Sequence, residues 1–390
     1  MELVFDGIRV VEIADDPAGE YTGKLLADQG ATVVKIEPEG GAASRHIGPW
    51  AGGVRDADHS LNFWTYNTSK QSVVLADDAA GRAARAALIA EADILLTTGR
   101  PVDLERAGLD LDALCAEHAG LVALSVSPFG LTGPWANYLS SDLVGLAAGG
   151  LLNSCGYDDH SIPPIRPGGN QGYMTAAGFA LCGVLLALIE RQQTGRGQVV
   201  DVSMHESIAV TGELANPYWF YPKAIVQRQT CRHAQPMPTQ PALFQCADGV
   251  WVYFALILAD QVAWKALTSW MEEVGVAADL TETEYDSLAY RQDNFAHIQG
   301  MLEAFFLIQD SEAVYRDGQR WGLPIGPLRA PEEVLRDEHL AARGFFADVE
   351  LADGTTATFP GAPYRFSDGY AAPRRPPLLG EHTQQVLSHG

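Results

Sequence analysis

Asp15 and Asp16 stand side by side directly after a β-branched run, where a strand would end and a loop begin. Two carboxyls there could meet a ligand as acid and base. The commoner role of such an acid is to cap the next helix or to sit in a solvated turn. His205 followed by Glu206 joins an imidazole to a carboxylate, the parts of a proton relay. That pair comes straight after a buried strand, which favours a structural role. The ten histidines are otherwise scattered, with no H-E-x-x-H. There is no G-x-S-x-G elbow and no Walker loop. Gly149–Gly150 and TGRGQ (194–198) read as backbone punctuation rather than phosphate loops. Cys115, Cys155, Cys182, Cys231 and Cys246 are widely spaced, without a C-x-x-C pair. Reduced thiols are the default for such a set, and no metal site is expected.

The elements that would carry these residues follow a βαβ rhythm. IRVVEI (8–13), TVVKIE (32–37), SVVLA (72–76), DILLTT (93–98), LVALSVSPF (121–129) and VVDVSM (199–204) read as strands. Helices are expected near 18–29, capped by Gly30, and at 79–92 and 173–192. This predicts an α/β fold with an open, mostly parallel, Rossmann-like layer. Ligands of such sheets sit beyond the carboxyl ends of the strands, here 14–19, 37–45, 97–101 and 127–134. No G-x-G-x-x-G follows the first strand, so a nicotinamide site is not supported. From about 220 the texture changes, with a strand at 250–257 and acidic helical stretches to about 320. The expected organisation is a large domain from 1–219, a smaller α/β domain at 220–321, and a Pro-rich, loop-like segment at 322–390 returning to the large one.

The bulk numbers bound the partners. The chain has 390 residues, 47% hydrophobic and 19% charged, which is globular and long enough for two domains. A net charge of −23 repels phosphate backbones, so nucleic acid and anionic membrane are poor partners. A few local cations could still hold a small anion. The first residues carry no basic n-region, and the most apolar run, Phe179–Ile189, is too short to span a bilayer. A cytoplasmic protein is expected.

Several phrases, in order along nearly the whole chain, resemble family III CoA-transferases. They are GIRVVEIADDPAGEYTGKLLADQGATVVKIEPEGG, NTSKQSVVLAD, ADILLTTGRPVDLERAGL, SVSPFGLTGPW, SDLVGLAAGG, GVLLALIERQQTGRGQVVDVSMHES, GLPIGPLRAPEEVLRDEHLAARGFF and PPLLGEHTQQVL. The resemblance implies a Rossmann-like large domain built from both termini, a smaller middle domain and an interlocked dimer. It implies coenzyme A, brought in as an acyl-CoA, and a carboxylic acid acceptor. By motif position, Arg45, Lys70, Arg100 and Pro101 would hold CoA, and the 14–19 loop with Ala18 would face the thioester. The family nucleophile is an Asp ahead of the Ala-rich helix. Its carboxylate is acylated by the donor thioester, returning CoA thiolate then makes an aspartyl-CoA thioester, and the acceptor acid resolves it.

Here the sequence departs from the family. The nucleophile position falls at Gly172 or Tyr173, and neither is acidic. Ala42, Thr68, Thr98 and Gly99 stand where relatives carry Asp, Arg, Asn and Phe, and Ser141 stands for the racemase His. Tyr173 and Asp142 are the remaining candidates for a reacting group, with Asp158 and Asp159 further off. Three readings follow. The chain could run altered acyl-CoA chemistry as an isomerase, lyase or hydrolase. It could be a non-catalytic subunit paired with an Asp-bearing homologue, or an ordinary transferase, homodimeric as the family implies, with a displaced carboxylate.

Overall fold

A computed structural model describes residues 3–212, 215–256, 258–367 and 371–388. The chain forms two compact units: one from residues 1–151, 166–212 and 338–390, the other from 152–165 and 213–337.

The first unit is built on six parallel strands: β1 (Arg9–Ile13), β2 (Thr32–Glu37), β3 (Gln71–Val74), β4 (Ile94–Thr98), β5 (Val122–Ser127) and β6 (Val199–Ser203). Their order is β3-β2-β1-β4-β5-β6, the doubly wound arrangement. The register puts Val11 beside both Val34 and Leu95. Val, Ile and Leu dominate the inner strands because helices cover both faces of a parallel sheet. The helices of this unit are α1 (Pro17–Ala27), α2 (Leu61–Tyr66), α3 (Ala79–Ala90), α4 (Pro101–Arg106), α5 (Leu111–Glu117), α6 (Asp142–Ala148), α7 (Gln171–Thr194) and α8 (Met204–Val210). One core cluster joins Val11, Leu95 and Ala123 of the sheet to Ile89, Leu104 and Leu111 of its covering helices.

Local chemistry sets the helix ends. Asp16 accepts from Gly19 N to cap α1, with Pro17 at its first position. The helix ends earlier than the sequence suggested, with Asp28 rather than Gly30 as its cap. Helix α7 ends at Gly195, whose φ of 72° needs glycine. The run 179–189, read as too short to span a bilayer, lies inside this 24-residue helix, which is long and apolar enough to cross one by length and composition alone. It packs against α1, β5 and β6, as a core helix does.

The second unit contains α9 (Ala215–Phe220), the hairpin β7 (Gln227–Gln229) and β8 (Arg232–Gln235), and an antiparallel sheet. That sheet has β10 (Trp251–Phe254) between β9 (Leu243–Gln245) and β11 (Ile325–Pro327). The expected strand at 250–257 is thus shorter, and Ile257 lies outside the described residues. Helices α10 (Gln261–Val274), α11 (Leu288–Asp293), α12 (Phe295–Leu307), α13 (Ser311–Arg320) and α14 (Pro331–Val334) complete the unit. Its core holds Trp264, Trp270, Phe305 and Phe306.

The boundaries expected at 220 and 322 move. Asp158 N donates to Thr230 Oγ1 at 3.1 Å, which ties 152–165 to the second unit. Pairing of β11 with β10 keeps the chain there until Asp337. The tail is also more structured than loop: α15 (Glu338–Ala342), the hairpin β12 (Phe346–Glu350) and β13 (Thr356–Pro360), and α16 (Thr383–Leu387) all return to the first unit.

Candidate functional site

Strand order reverses between β1 and β4. Loops leaving neighbouring strands part there and open a crevice at the carboxyl ends. A cavity of about 210 Å³ lies at this place, lined by Asp16 and Ala18 after β1, Arg100 after β4, Ser127 at the end of β5, Tyr173 on α7 and Met204 after β6. The start of α1 is pressed close to β4. A Cβ on Gly19 would fall 2.3 Å from Thr98 Cγ2, so only glycine fits.

Asp16 is half-buried at the cavity wall, with Oδ1 turned to Gly19 N at 3.0 Å. Burial, reinforced by the charges of Glu20 and Asp15, pushes its carboxyl up to about 7. A carboxyl so placed exchanges a proton near neutral pH. Asp15 points elsewhere: its Oδ1 accepts from Ala43 N at 2.6 Å and joins the loops after β1 and β2.

The two positions proposed for the family nucleophile differ sharply. Gly172 faces α6: its N–H donates to Asp142 Oδ1 at 2.8 Å, and a Cβ there would lie 3.2 Å from Asp142 Oδ1 and from Ile208 Cδ1. Tyr173 lines the cavity. Burial, with Asp16 and Asp142 adding, pushes its phenol up to about 12, so it remains a neutral hydroxyl. Asp142 has both oxygens engaged, the second by Arg166 Nε at 3.1 Å, and is buried. Asp158 and Asp159 belong to the other unit, where Arg232 and Ser161 hold them.

Two of the cations expected to hold CoA, Arg45 and Lys70, are buried. Arg45 is fully buried. Its Nε and Nη2 donate to Glu37 at 2.6 and 2.9 Å, Nη1 donates to Asp58 at 3.1 Å, and the guanidinium lies 3.6 Å from the Phe63 ring. Burial works against the Glu37 charge, but the Arg45 fork outweighs it and holds that carboxyl below its ordinary range. Lys70 Nζ donates to Glu12 Oε1, Glu20 O and Asn67 Oδ1 at 3.0, 2.7 and 2.8 Å. Lys35 meets Glu12 at 3.0 Å and Glu20 at 2.9 Å. Glu12, Glu20 and Glu37 are therefore balanced by Lys35, Lys70 and Arg45 inside the unit. The lysine and arginine read as ligand contacts neutralise buried acids in this structure.

Arg100 does reach the cavity, clamped by Asp103, which takes its Nε at 2.7 Å and Nη2 at 2.9 Å. Pro101 starts α4 and lines a different, shallow cleft. His205 Nε2 meets Ala148 O at 3.2 Å, and its ring packs on Phe129 and Trp135, which steadies the loop after β5. A larger cavity of about 600 Å³, lined by Asp56, His59, Trp64 and Arg375, contains none of the candidate site residues read from the sequence. No cluster of metal-ligand type occurs among the described residues.

A doubly wound sheet with a cavity at its switch point, lined by the carboxyls of Asp16 and Asp103 and the guanidinium of Arg100, defines an α/β protein of the open-sheet class. The chain belongs to CoA-transferase family III, whose sequence pattern matches residues 5–383. It is 32% identical over 391 residues to the succinyl-CoA:(R)-benzylsuccinate CoA-transferase subunit BbsE of Thauera aromatica, covering 98% of this chain and 93% of that one. It is 30% identical over 395 residues to the succinyl-CoA–L-malate CoA-transferase alpha subunit of Chloroflexus aurantiacus, covering 99% and 88%. Its fold matches the crystal structure of a CAIB/BAIF family protein from Brucella suis with a TM-score of 0.84, at 23% identity and full coverage of both chains.

Proposed function

We propose that the chain binds an acyl-CoA thioester at the strand-end cavity and serves as the carboxylate-lacking subunit of a heteromeric CoA-transferase, paired with an Asp-bearing homologue. The observation that carries this is Tyr173. Of the two positions assigned to the family nucleophile, it alone lines the cavity, and it presents a neutral phenol in place of a carboxylate. A phenol of that pKa attacks a thioester poorly and leaves no aspartyl thioester for an acceptor acid to resolve. Two relatives are themselves named as subunits. The apolar face of α7, with Phe179, Leu186 and Ile189 exposed, offers a partner a surface to cover. The family's homodimer is the other assembly that this face would serve.

The test is transfer of CoA from succinyl-CoA to a panel of carboxylic acids. It is run with the chain alone, with an Asp-bearing homologue alone, and with the two co-expressed. Transfer by the co-expressed pair at a rate well above either chain alone supports the reading. Full transfer by this chain alone sinks it.

One observation favours a second reading. Asp16 is a carboxyl on the same cavity with a pKa near neutrality. It would serve as the acid–base group of an isomerase, lyase or hydrolase, or as a displaced nucleophile. Turnover by the chain alone, abolished by Asp16→Asn, would select this alternative.

A further inference from the structure

On the acyl-CoA reading, the thioester carbonyl comes beside Tyr173 in the strand-end cavity, and the acyl group bonded to it lies against the cavity wall. Much of that wall is hydrocarbon: Ala18, Val126, Pro128, Leu139 and Met204. Ala18, Val126 and Met204 are buried, whereas Leu139 lines the cavity while 78% exposed. The loop that carries Leu139 is held in place. Val102 N donates to Asn137 Oδ1 at 3.0 Å, Tyr138 N donates to Trp135 O at 2.8 Å, and the Trp135 ring packs edge-on to Phe129. Covering such a wall with an apolar chain is favourable, because it removes hydrocarbon from water on both sides.

The charges point the same way. Among the described residues that line the cavity, Arg100 is the only lysine or arginine. All three of its guanidinium nitrogens already donate: Nε to Asp103 Oδ2 at 2.7 Å, Nη2 to Asp103 Oδ1 at 2.9 Å, and Nη1 to Asn137 O at 3.3 Å. Asp103 lines the same wall, so the arginine is neutralised where it stands. Arg106 also meets Asp103, at 3.2 Å, but does not line the cavity. Asp16 adds a second carboxyl, whose hydrogen-bond partner is the backbone N–H of Gly19. A carboxylate at the far end of an acyl chain would therefore leave water to meet two carboxyls and an arginine already paired, which is unfavourable. A methyl end gives up no hydration of that kind.

We propose, on the basis of the acyl-CoA reading, that the cavity takes the apolar acyl group of a monocarboxylic acid and refuses that of a dicarboxylic acid. Leu139 supplies apolar wall, and Asp103 keeps Arg100 from a second carboxylate. A dicarboxylic donor is then bound by the Asp-bearing partner.

Butyryl-CoA and succinyl-CoA make the test, because both carry a four-carbon chain and differ at its far end, methyl against carboxylate. Each is titrated calorimetrically into the full-length chain, with free CoA beside them. Butyryl-CoA should bind at least tenfold more tightly than succinyl-CoA. Asp103→Asn keeps an oxygen for the backbone N–H of Arg100 and removes the counter-charge of the guanidinium, so it should narrow that gap at least threefold. Leu139→Lys, at an exposed position, should narrow it as well by placing a cation on the wall. Succinyl-CoA bound more tightly than butyryl-CoA overturns the proposal, as does a gap that neither variant narrows. Equal binding of all three CoA species overturns the acyl preference and leaves CoA binding in place. Absence of binding by all three overturns the acyl-CoA reading, and the preference with it.

Discussion

The backbone N–H of Gly172 donates to Asp142 Oδ1 at 2.8 Å, which fixes the first turn of α7 against the start of α6. It turns residue 172 toward packed atoms, while Tyr173 lines the cavity. Gly172→Asp would set a Cβ 3.2 Å from Asp142 Oδ1 and bring a second carboxylate beside the first. Overpacking of this kind costs about 1–3 kcal/mol. Asp142→Ala orphans a buried N–H and releases Arg166, at about 1–3 kcal/mol. Urea unfolding should show both losses, and an unchanged midpoint for Gly172→Asp would mean that the helix start is not held as described.

Tyr173→Asp places a carboxylate where Tyr173 now lines the cavity. On the proposed reading the variant, and not the wild type, should form a covalent adduct after incubation with acyl-CoA, released by hydroxylamine and visible in the intact mass. If neither the variant nor the wild type is labelled, residue 173 is not the nucleophile position.

Lys70 and Arg45 make a contrasting pair of predictions. Removing one partner from a buried charge network leaves the others uncompensated, at about 3–5 kcal/mol. Lys70→Met and Arg45→Met should therefore lower the melting temperature sharply. A direct ligand contact would behave differently, weakening acyl-CoA binding while leaving the unfolding curve in place. Thermal unfolding beside an acyl-CoA titration separates the two roles.

Much of the first unit was legible because a parallel sheet writes its strands as continuous apolar runs. TVVKIE occupies β2 residue for residue. The second unit was harder to bound, because the stretch 152–165 joins it through hydrogen bonds to residues some seventy positions away, which no local pattern records. Of the residues read from strand-end position, Asp16, Ala18 and Arg100 line the cavity at the switch point. Strand-end position could not separate them from Arg45 and Lys70, because a lysine or arginine after a strand reads the same whether it faces solvent or a buried glutamate. Glu12, Glu20 and Glu37 were the available signal: three acids on two inner strands and the helix that covers them must be matched internally.

Asp16 gives the sharpest pH prediction. Its ordinary pKa of 3.8 is raised to about 7 in the folded chain, by burial first and then by Glu20 and Asp15. Below 3.8 the carboxyl is protonated in both folded and unfolded chains and contributes no difference. As pH rises from 3.8 through 7, the unfolded chain releases this proton first, so the folded state loses stability, and the loss is complete above 7. Asp16→Asn keeps an oxygen for the Gly19 N–H and removes the charge. Its advantage over wild type should therefore grow through pH 5 and 6 and level off above 7. Because the side chain keeps some solvent at the cavity wall, the plateau should be about 1–3 kcal/mol rather than the full value of a dry site. Urea unfolding of both proteins at half-unit steps from pH 5 to 8.5 reads the curve directly. An advantage that stays flat across that range would show an ordinary surface acid at residue 16, and would remove the basis for any proton transfer in the cavity.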